Sequence, residues 1–170
     1  MTVQSLAVDY GVWPHVCVAI RNVLSGAKAE CLLERIAVVP IRPSRAVRSF
    51  GSYAYRAGEP VCIRLQFAQE AASLTETFLH ELAHLCDHLS NQPGKHYRRA
   101  HGPQWQAWAK LLGTAPDRCG KSEALAALYQ HRLKLVAVCQ NCGAEFRRTR
   151  RLNRRRKYYH TNCGGQLRPV

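Results

Sequence analysis

The chain has 170 residues, of which 46% are hydrophobic and 21% are charged, a composition that excludes a disordered or fibrous protein. Its length suits one ordinary domain with a small appendix, since domains usually run to ~100–150 residues. No apolar run approaches the ~18–20 residues that cross a bilayer, and the first residues lack the pattern of a secretory signal. We therefore expect a cytoplasmic protein without a membrane partner, and we expect it to be a monomer.

The positive charge is concentrated near the C-terminus. The formal net charge is +14, and residues 139–170 contain nine Lys or Arg against one acidic residue. This density predicts a polyanionic partner, most simply nucleic acid, because neutralising phosphates releases counterions. The candidate nucleic-acid-binding residues are Arg147, Arg148, Arg150, Arg151, Arg154, Arg155, Arg156 and Lys157. The alternative is a solvated tail that only improves solubility.

The first half of the chain predicts a helix and a small sheet. Apolar residues at helical spacing indicate a helix over residues 13–24. The β-branched run 36–41, stopped by proline, indicates a strand near a sheet edge. Two further strands are expected over residues 49–55 and 61–67, with residues 56–60 as the turn between them.

Three helices are expected in the second half. Ser73 and Glu76 match a capping box, so a helix should begin near Leu74 and end at residues 91–94, where proline and glycine interrupt it. Pro103 suits the first turn of another helix, with glycine as its C-terminal stop. A last helix is expected over residues 122–135.

The central helix carries the H-E-x-x-H pattern. His80 and His84 lie four residues apart, so both imidazoles can reach one zinc ion while Glu81 points to the open position. The alternative is two histidines of an amphipathic helix without a metal. A catalytic zinc normally takes three protein ligands. The spacing leaves His88, His96 and His101 as candidates for the third, although His88 is poorly placed for a tetrahedral site.

These residues, together with His101-Gly102-Pro103-Gln104-Trp105, resemble the SprT-like metalloprotease family, in which a later His-Gly opens the next helix and precedes an aromatic residue. The resemblance implies an α+β, zincin-like domain over residues 1–135, with a small mixed sheet and an active-site helix. It also implies that His101 is the third ligand of a catalytic zinc and that Glu81 is the general base. His96 remains the alternative ligand.

The resemblance continues into residues 136–170, where bacterial members of the family carry a zinc ribbon. Cys139 and Cys142 supply the first knuckle, and His160 and Cys163 supply the second, where the family usually has Cys-x-x-Cys. A Cys3His set is acceptable for a structural zinc. The alternative is that the thiols are buried and His160 is free. The remaining cysteines are expected to be buried apolar residues: Cys17, Cys31, Cys62, Cys86 and Cys119.

The resemblance implies a zinc-dependent metallopeptidase acting on DNA-associated or DNA-crosslinked proteins, since better-understood members of the family cleave proteins trapped on DNA, and such a protein could associate with the nucleoid. A peptide substrate would add to the sheet at an exposed edge, for which residues 61–67 are the candidate strand. Tyr158 and Tyr159 could stack on single-stranded DNA or pack inside the ribbon. Two alternatives remain open, a non-catalytic nucleic-acid-binding protein in which zinc only braces the fold, and a zinc hydrolase that does not cleave peptides.

Overall fold

The computed structural model describes residues 1–90, 100–115 and 122–170. These residues form two compact units, Met1–Glu123 and Ala124–Val170. The assignment of residues 1–135 to a catalytic domain and of residues 136–170 to a ribbon stays a prediction. Among the described residues, no helix combines the length and the hydropathy needed to span a bilayer.

Three short helices open the first unit. Helix α1 (Val3–Asp9) begins with a capping box, in which the Thr2 hydroxyl accepts from the Ser5 N–H and the Ser5 hydroxyl accepts from the Thr2 N–H. Helix α2 (Trp13–Val23) has a proline in its first turn and confirms the predicted opening helix. Helix α3 (Ala27–Ala37) follows and was not predicted.

The predicted strand over residues 36–41 is wrong, because Ile36 lies in the last turn of α3. The buried residues of this helix are Ala29, Leu32, Leu33 and Ile36, which follow the i, i+3, i+4, i+7 spacing of one helical face. This periodicity outweighs the strand preference of the β-branched run. The strand begins only at Ile41 and forms β1 (Ile41–Pro43).

The sheet of the first unit is small and mixed. Strands β2 (Gly51–Arg56) and β3 (Glu59–Leu65) are antiparallel, whereas β1 pairs with β3 in parallel. Ala57 and Gly58 join β2 to β3 with φ angles of 52° and 81°, as a two-residue type I′ turn requires. The strand order is β1-β3-β2. The predicted open edge at residues 61–67 is therefore wrong, because β3 is the central strand and β2 lies at an edge.

Helix α4 (Ala71–Ser90) is the central helix of the first unit. It begins before Ser73, so the predicted capping box is wrong; the Ser73 hydroxyl instead donates to Gln69 Oε1 at 3.2 Å. The predicted end of this helix, residues 91–94, lies outside the described residues. Helix α5 (Pro103–Leu111) begins at the predicted proline, and Gly113 with a φ of 74° follows it.

The core of the first unit packs α4 and α5 together with the sheet and the N-terminal helices. Its fully buried large side chains include Ile20, Ile36, Ile63, Phe78, Leu82, Leu85, Trp105 and Leu112. Of the cysteines expected to be buried, Cys62 and Cys86 are, but Cys17 is only partly buried and Cys31 is exposed. Cys31 lies on the outer face of α3, which explains its exposure. Cys119 lies outside the described residues.

The second unit contains one helix and a three-stranded sheet. Helix α6 (Glu123–Arg132) is shorter than the predicted helix over residues 122–135, because β4 (Lys134–Cys139) begins directly after it. Strands β5 (Glu145–Arg148) and β6 (Leu167–Pro169) both pair with β4 in antiparallel fashion. The core of this unit is small and consists of Val136, Ala137, Cys139, Leu152 and Leu167.

Candidate metal centres and active site

Three imidazoles converge in the first unit. His80 and His84 lie one turn apart on α4, and His101 lies two residues before α5. The Nε2 atom of His101 is 3.1 Å from that of His80 and 3.2 Å from that of His84. His101 has a φ of 65°, and this left-handed backbone precedes the first turn of α5.

The donor set and its spacing fit zinc. Three nitrogens at the usual Zn–N distance of ~2.0–2.1 Å from a tetrahedral ion would lie ~3.3–3.4 Å from one another. The observed Nε2 distances of 3.1 and 3.2 Å are close to this value. His96, the alternative ligand, lies outside the described residues. The structure therefore brings together the three histidines that the resemblance to the SprT-like pattern singled out, and they form a candidate metal site.

Trp105 supports this cluster from α5. Its ring is fully buried, and its centroid lies 4.8 Å from the ring of His80, 5.0 Å from that of His84 and 4.4 Å from that of His101. Burial lowers the pKa of His80 to about 4, and burial together with the neighbouring imidazoles lowers the pKa of His84 to about 3. Both rings are therefore neutral at pH 7, the form that binds a metal.

Glu81 lies on the side of α4 that faces β2. Its side chain is only 7% exposed, and burial raises the pKa of its carboxyl to about 7, against the opposing effect of a hydrogen bond from the Tyr53 main-chain N–H. A general base works best when its pKa is near the operating pH. The carboxyl group therefore has the environment of an acid–base catalyst.

Two contacts of this site were missed by the sequence analysis. A Cβ atom on Gly51 would lie 3.0 Å from both Cγ and Oε1 of Glu81, so the start of β2 passes directly beside the carboxylate. His88, one turn beyond His84, is buried and lies with Nδ1 2.6 Å from the Tyr53 hydroxyl. The only signal in the sequence was a glycine at the start of a predicted strand, which can mark a close backbone approach.

A second candidate metal site lies in the second unit. Cys139, Cys142, His160 and Cys163 place one ligand atom each within 4.8 Å of one another. Cys163 Sγ is 3.5 Å from the sulfurs of Cys139 and Cys142, and His160 Nδ1 is 3.2 Å from Cys142 Sγ. Sulfurs bound to one tetrahedral zinc would lie ~3.8 Å apart, which is close to the observed 3.5 Å.

The alternative that Cys139 and Cys142 are both buried thiols does not hold, since Cys142 is exposed.

The backbone around these thiols suits metal binding. Gly143 and Gly164 adopt φ angles of 71° and 67° just after Cys142 and Cys163, which produces the tight turn of a metal-binding knuckle. Hydrogen bonds from main-chain N–H groups, first that of Cys142, lower the pKa of Cys139 to about 6. Thiolates rather than thiols bind metals, so Cys139 is suited to be a ligand. A main-chain hydrogen bond from Ala144 lowers the pKa of Cys142, but the neighbouring sulfurs of Cys163 and Cys139 raise it above its usual value. Three cysteines and one histidine form a donor set that structural zinc sites use.

The predicted nucleic-acid-binding residues are all exposed in the second unit, from Arg147 to Lys157. One acidic residue, Glu145, contacts this group through an exposed ion pair with Arg147 at 3.1 Å. Tyr159 is 58% exposed, whereas Tyr158 packs against the small core. A shallow cleft of about 360 Å³ is lined by Val136, Arg151, Leu152, Arg154, Pro169 and Val170. The contact of the basic residues 147–157 with DNA stays a prediction.

The fold and the two sites define an α+β, zincin-like metal-binding protein that carries a zinc ribbon. The model of the SprT-like family matches residues 20–124, from α2 to the beginning of α6, and this range includes all three histidines. The chain belongs to the SprT-like family. No curated protein and no solved structure matches it.

Proposed function

We propose that this protein is a zinc metalloendopeptidase in which His80, His84 and His101 hold the catalytic ion and Glu81 is the general base. The observation that carries the proposal is the convergence of three imidazoles next to a buried carboxyl whose pKa is raised to about 7. Zinc bound there would polarise the scissile carbonyl and make water a better nucleophile.

In this proposal Glu81 performs both proton transfers. Its carboxylate accepts a proton from the attacking water, and the same proton then passes to the nitrogen of the leaving amine. Trp105 holds the imidazoles in place through its ring contacts. An extended peptide would add to β2, because the strand order leaves β2 at an edge beside α4.

The proposed substrates are proteins associated with DNA or crosslinked to it. This is supported by the exposed basic residues 147–157 of the second unit, since phosphate contacts would bring the peptidase to its target. The exposed ring of Tyr159 would add stacking on single-stranded DNA. We also propose a cytoplasmic location near the nucleoid, since the metal-binding cysteines need a reducing compartment.

The test compares wild type with Glu81→Gln on an unfolded protein and on a protein crosslinked to single-stranded DNA. Because the glutamine side chain of this variant cannot accept a proton but has the same shape as glutamate, cleavage should fall below detection while the zinc content stays that of wild type. Cleavage by the variant at the wild-type rate would refute the assignment of the base.

The basic ribbon also supports a second candidate, a nucleic-acid-binding protein in which both ions are structural. In that case the wild-type protein would bind DNA without cleaving either protein substrate, and Glu81→Gln would leave DNA binding unchanged. A zinc hydrolase with other carbonyl substrates would likewise leave both proteins intact, but it would hydrolyse small esters or amides in a manner that requires Glu81.

A further inference from the structure

Strand β2 runs along the face of α4 that carries Glu81. Thr77, Glu81 and His88 lie four and seven residues apart, so they occupy one side of the helix over three turns. Each of them contacts a residue of β2: Thr77 and Glu81 lie against Gly51, and His88 contacts Tyr53. The neighbouring face of the helix carries the metal-binding histidines. One helix therefore carries His80 and His84 on one side and turns the Glu81 carboxylate toward a strand.

Gly51 is needed for space rather than for an unusual backbone angle. A Cβ atom at this position would lie 2.7 Å from Cγ2 of Thr77 and 3.0 Å from both Cγ and Oε1 of Glu81. Contacts below 3.0 Å force atoms to move. Any other residue at position 51 would therefore have to displace the Thr77 methyl group and would press on the Glu81 side chain.

The beginning of β2 is tied to α4 by a buried amide. Gln69 donates through Nε2 to the carbonyl of Phe50 at 3.0 Å, and its Oε1 accepts from the Thr77 hydroxyl at 2.8 Å. Both Gln69 and Thr77 are 8% exposed. These hydrogen bonds fix the residue that precedes Gly51 relative to the turn of α4 that precedes Glu81.

Two residues further along β2, Tyr53 contacts α4 in two ways. Its main-chain N–H donates to the Glu81 carboxylate, and its hydroxyl lies 2.6 Å from His88 Nδ1. The ring of His88 also packs edge-on against Tyr55, with centroids 5.0 Å apart. The strand is thus held to the helix on both sides of Glu81.

We infer that β2 positions the general base: Gly51 leaves room for the Glu81 carboxylate, and the Tyr53 N–H fixes one of its oxygens. The Gln69 hydrogen bonds and the Tyr53–His88 bond hold the strand in register. Gly51, Tyr53, Gln69 and His88 are positioning residues, since they act through Glu81 and the backbone rather than on the substrate. The inference rests on the proposed peptidase function and specifies how its base is aligned.

The first test uses Gly51→Ala with Thr77→Ser as a second change. Thr77→Ser keeps the hydroxyl that bonds Gln69 but removes the methyl group that lies 2.7 Å from the added Cβ, while the 3.0 Å contact with Glu81 remains. In the full zinc-loaded chain, Gly51→Ala should lower kcat by about tenfold or more with KM and zinc content unchanged, since small misplacements of a reacting group cost that much.

The double variant separates packing from positioning, and Thr77→Ser alone is its matched control. We expect the double variant to unfold at a temperature closer to wild type than Gly51→Ala does, while its kcat stays low. A kcat that recovers together with the unfolding temperature would overturn the inference, because the effect would then be one of packing. So would an unchanged kcat in Gly51→Ala.

A second test remains if Gly51→Ala does not fold, and it does not need catalysis. In the NMR spectrum of the zinc-loaded chain, Glu81→Gln should move the Tyr53 amide proton upfield, because a neutral amide oxygen is a weaker acceptor than a carboxylate. An unmoved Tyr53 amide signal in Glu81→Gln would overturn the inference even if the wild-type protein is an active peptidase. If instead wild type cleaves no protein but the Tyr53 amide moves, the proposed function fails and the alignment of Glu81 by β2 stands.

Discussion

His84 and His101 are separated by 17 positions in the sequence, yet their Nε2 atoms lie 3.2 Å apart. The contact joins the middle of α4 to the segment that precedes α5, and Trp105 of α5 packs against both rings. The metal site is therefore built by the packing of two helices rather than by one motif. This has consequences that can be measured.

Each candidate metal site should hold one ion independently of the other. Wild type should contain two zinc ions, and His101→Ala and Cys142→Ala should each contain one, because each removes a ligand from only one cluster. Elemental analysis of the purified variants checks this. His131→Ala, which changes an exposed histidine of α6, is the control and should keep both ions. Loss of both ions in His101→Ala would contradict the prediction.

Trp105 should matter for zinc affinity and not only for stability. In Trp105→Phe the smaller ring leaves space beside three imidazoles, so zinc affinity at the three-histidine site should fall by about tenfold or more, as for other residues that orient ligands. Competition with a chromophoric chelator measures this affinity.

Trp108→Phe is the matched control for Trp105→Phe. Trp108 lies on the same helix and is 5% exposed, but its indole donates to the Ser90 hydroxyl at 3.1 Å. Its replacement should lower the free energy of unfolding by about 1–3 kcal/mol without changing zinc affinity. Equal losses of affinity in both variants would show that Trp105 acts only through general packing.

Removal of zinc should unfold the second unit before the first. The second unit buries only a few apolar residues around Cys139, whereas the first has an extensive core. Small domains of this kind depend on their metal for folding. Titration with a strong chelator, followed by NMR, should therefore collapse the signals of residues 136–170 while those of α4 stay dispersed. Simultaneous loss of both sets would contradict this expectation.

DNA binding should depend on salt through the exposed arginines of the second unit. Replacing Arg154, Arg155 and Arg156 by Gln should reduce the slope of log affinity against log salt concentration by up to about 2, since each phosphate contact on single-stranded DNA contributes about 0.7. Fluorescence anisotropy at several salt concentrations measures the slope. The charge-matched control replaces three exposed arginines of the first unit, Arg42, Arg56 and Arg64, and an equal change there would indicate a nonspecific charge effect.

The sequence predicted those parts of the site that depend on residue type and spacing. His80, Glu81 and His84 follow from helical geometry, and the helix that contains them is confirmed. Helical geometry disfavoured His88, but His101 could be chosen over His96 only through the resemblance to the SprT-like family, because nothing in the spacing determines how the chain returns after α4. The ribbon ligands likewise came from the resemblance, which pointed to their two short motifs.

The contribution of β2 could not be predicted in the same way. Tyr53 acts on Glu81 through a main-chain N–H, which every residue except proline possesses, and Gly51 acts by lacking a side chain. Local sequence patterns also do not predict the order of strands in a sheet. Residues 61–67 were expected at an edge, but the parallel pairing of β1 with β3 covers them. Such pairing is decided by contacts between segments that are distant in the sequence.

The left-handed backbone of His101 links metal binding to the local conformation of the chain. With a φ of 65°, this residue adopts a geometry that costs a non-glycine residue roughly 1–2 kcal/mol. Glycine would tolerate the angle but could not supply an imidazole. The left-handed conformation therefore costs free energy but orients the imidazole of His101. An ion bound to this imidazole would also stabilise the left-handed turn relative to more relaxed backbone conformations.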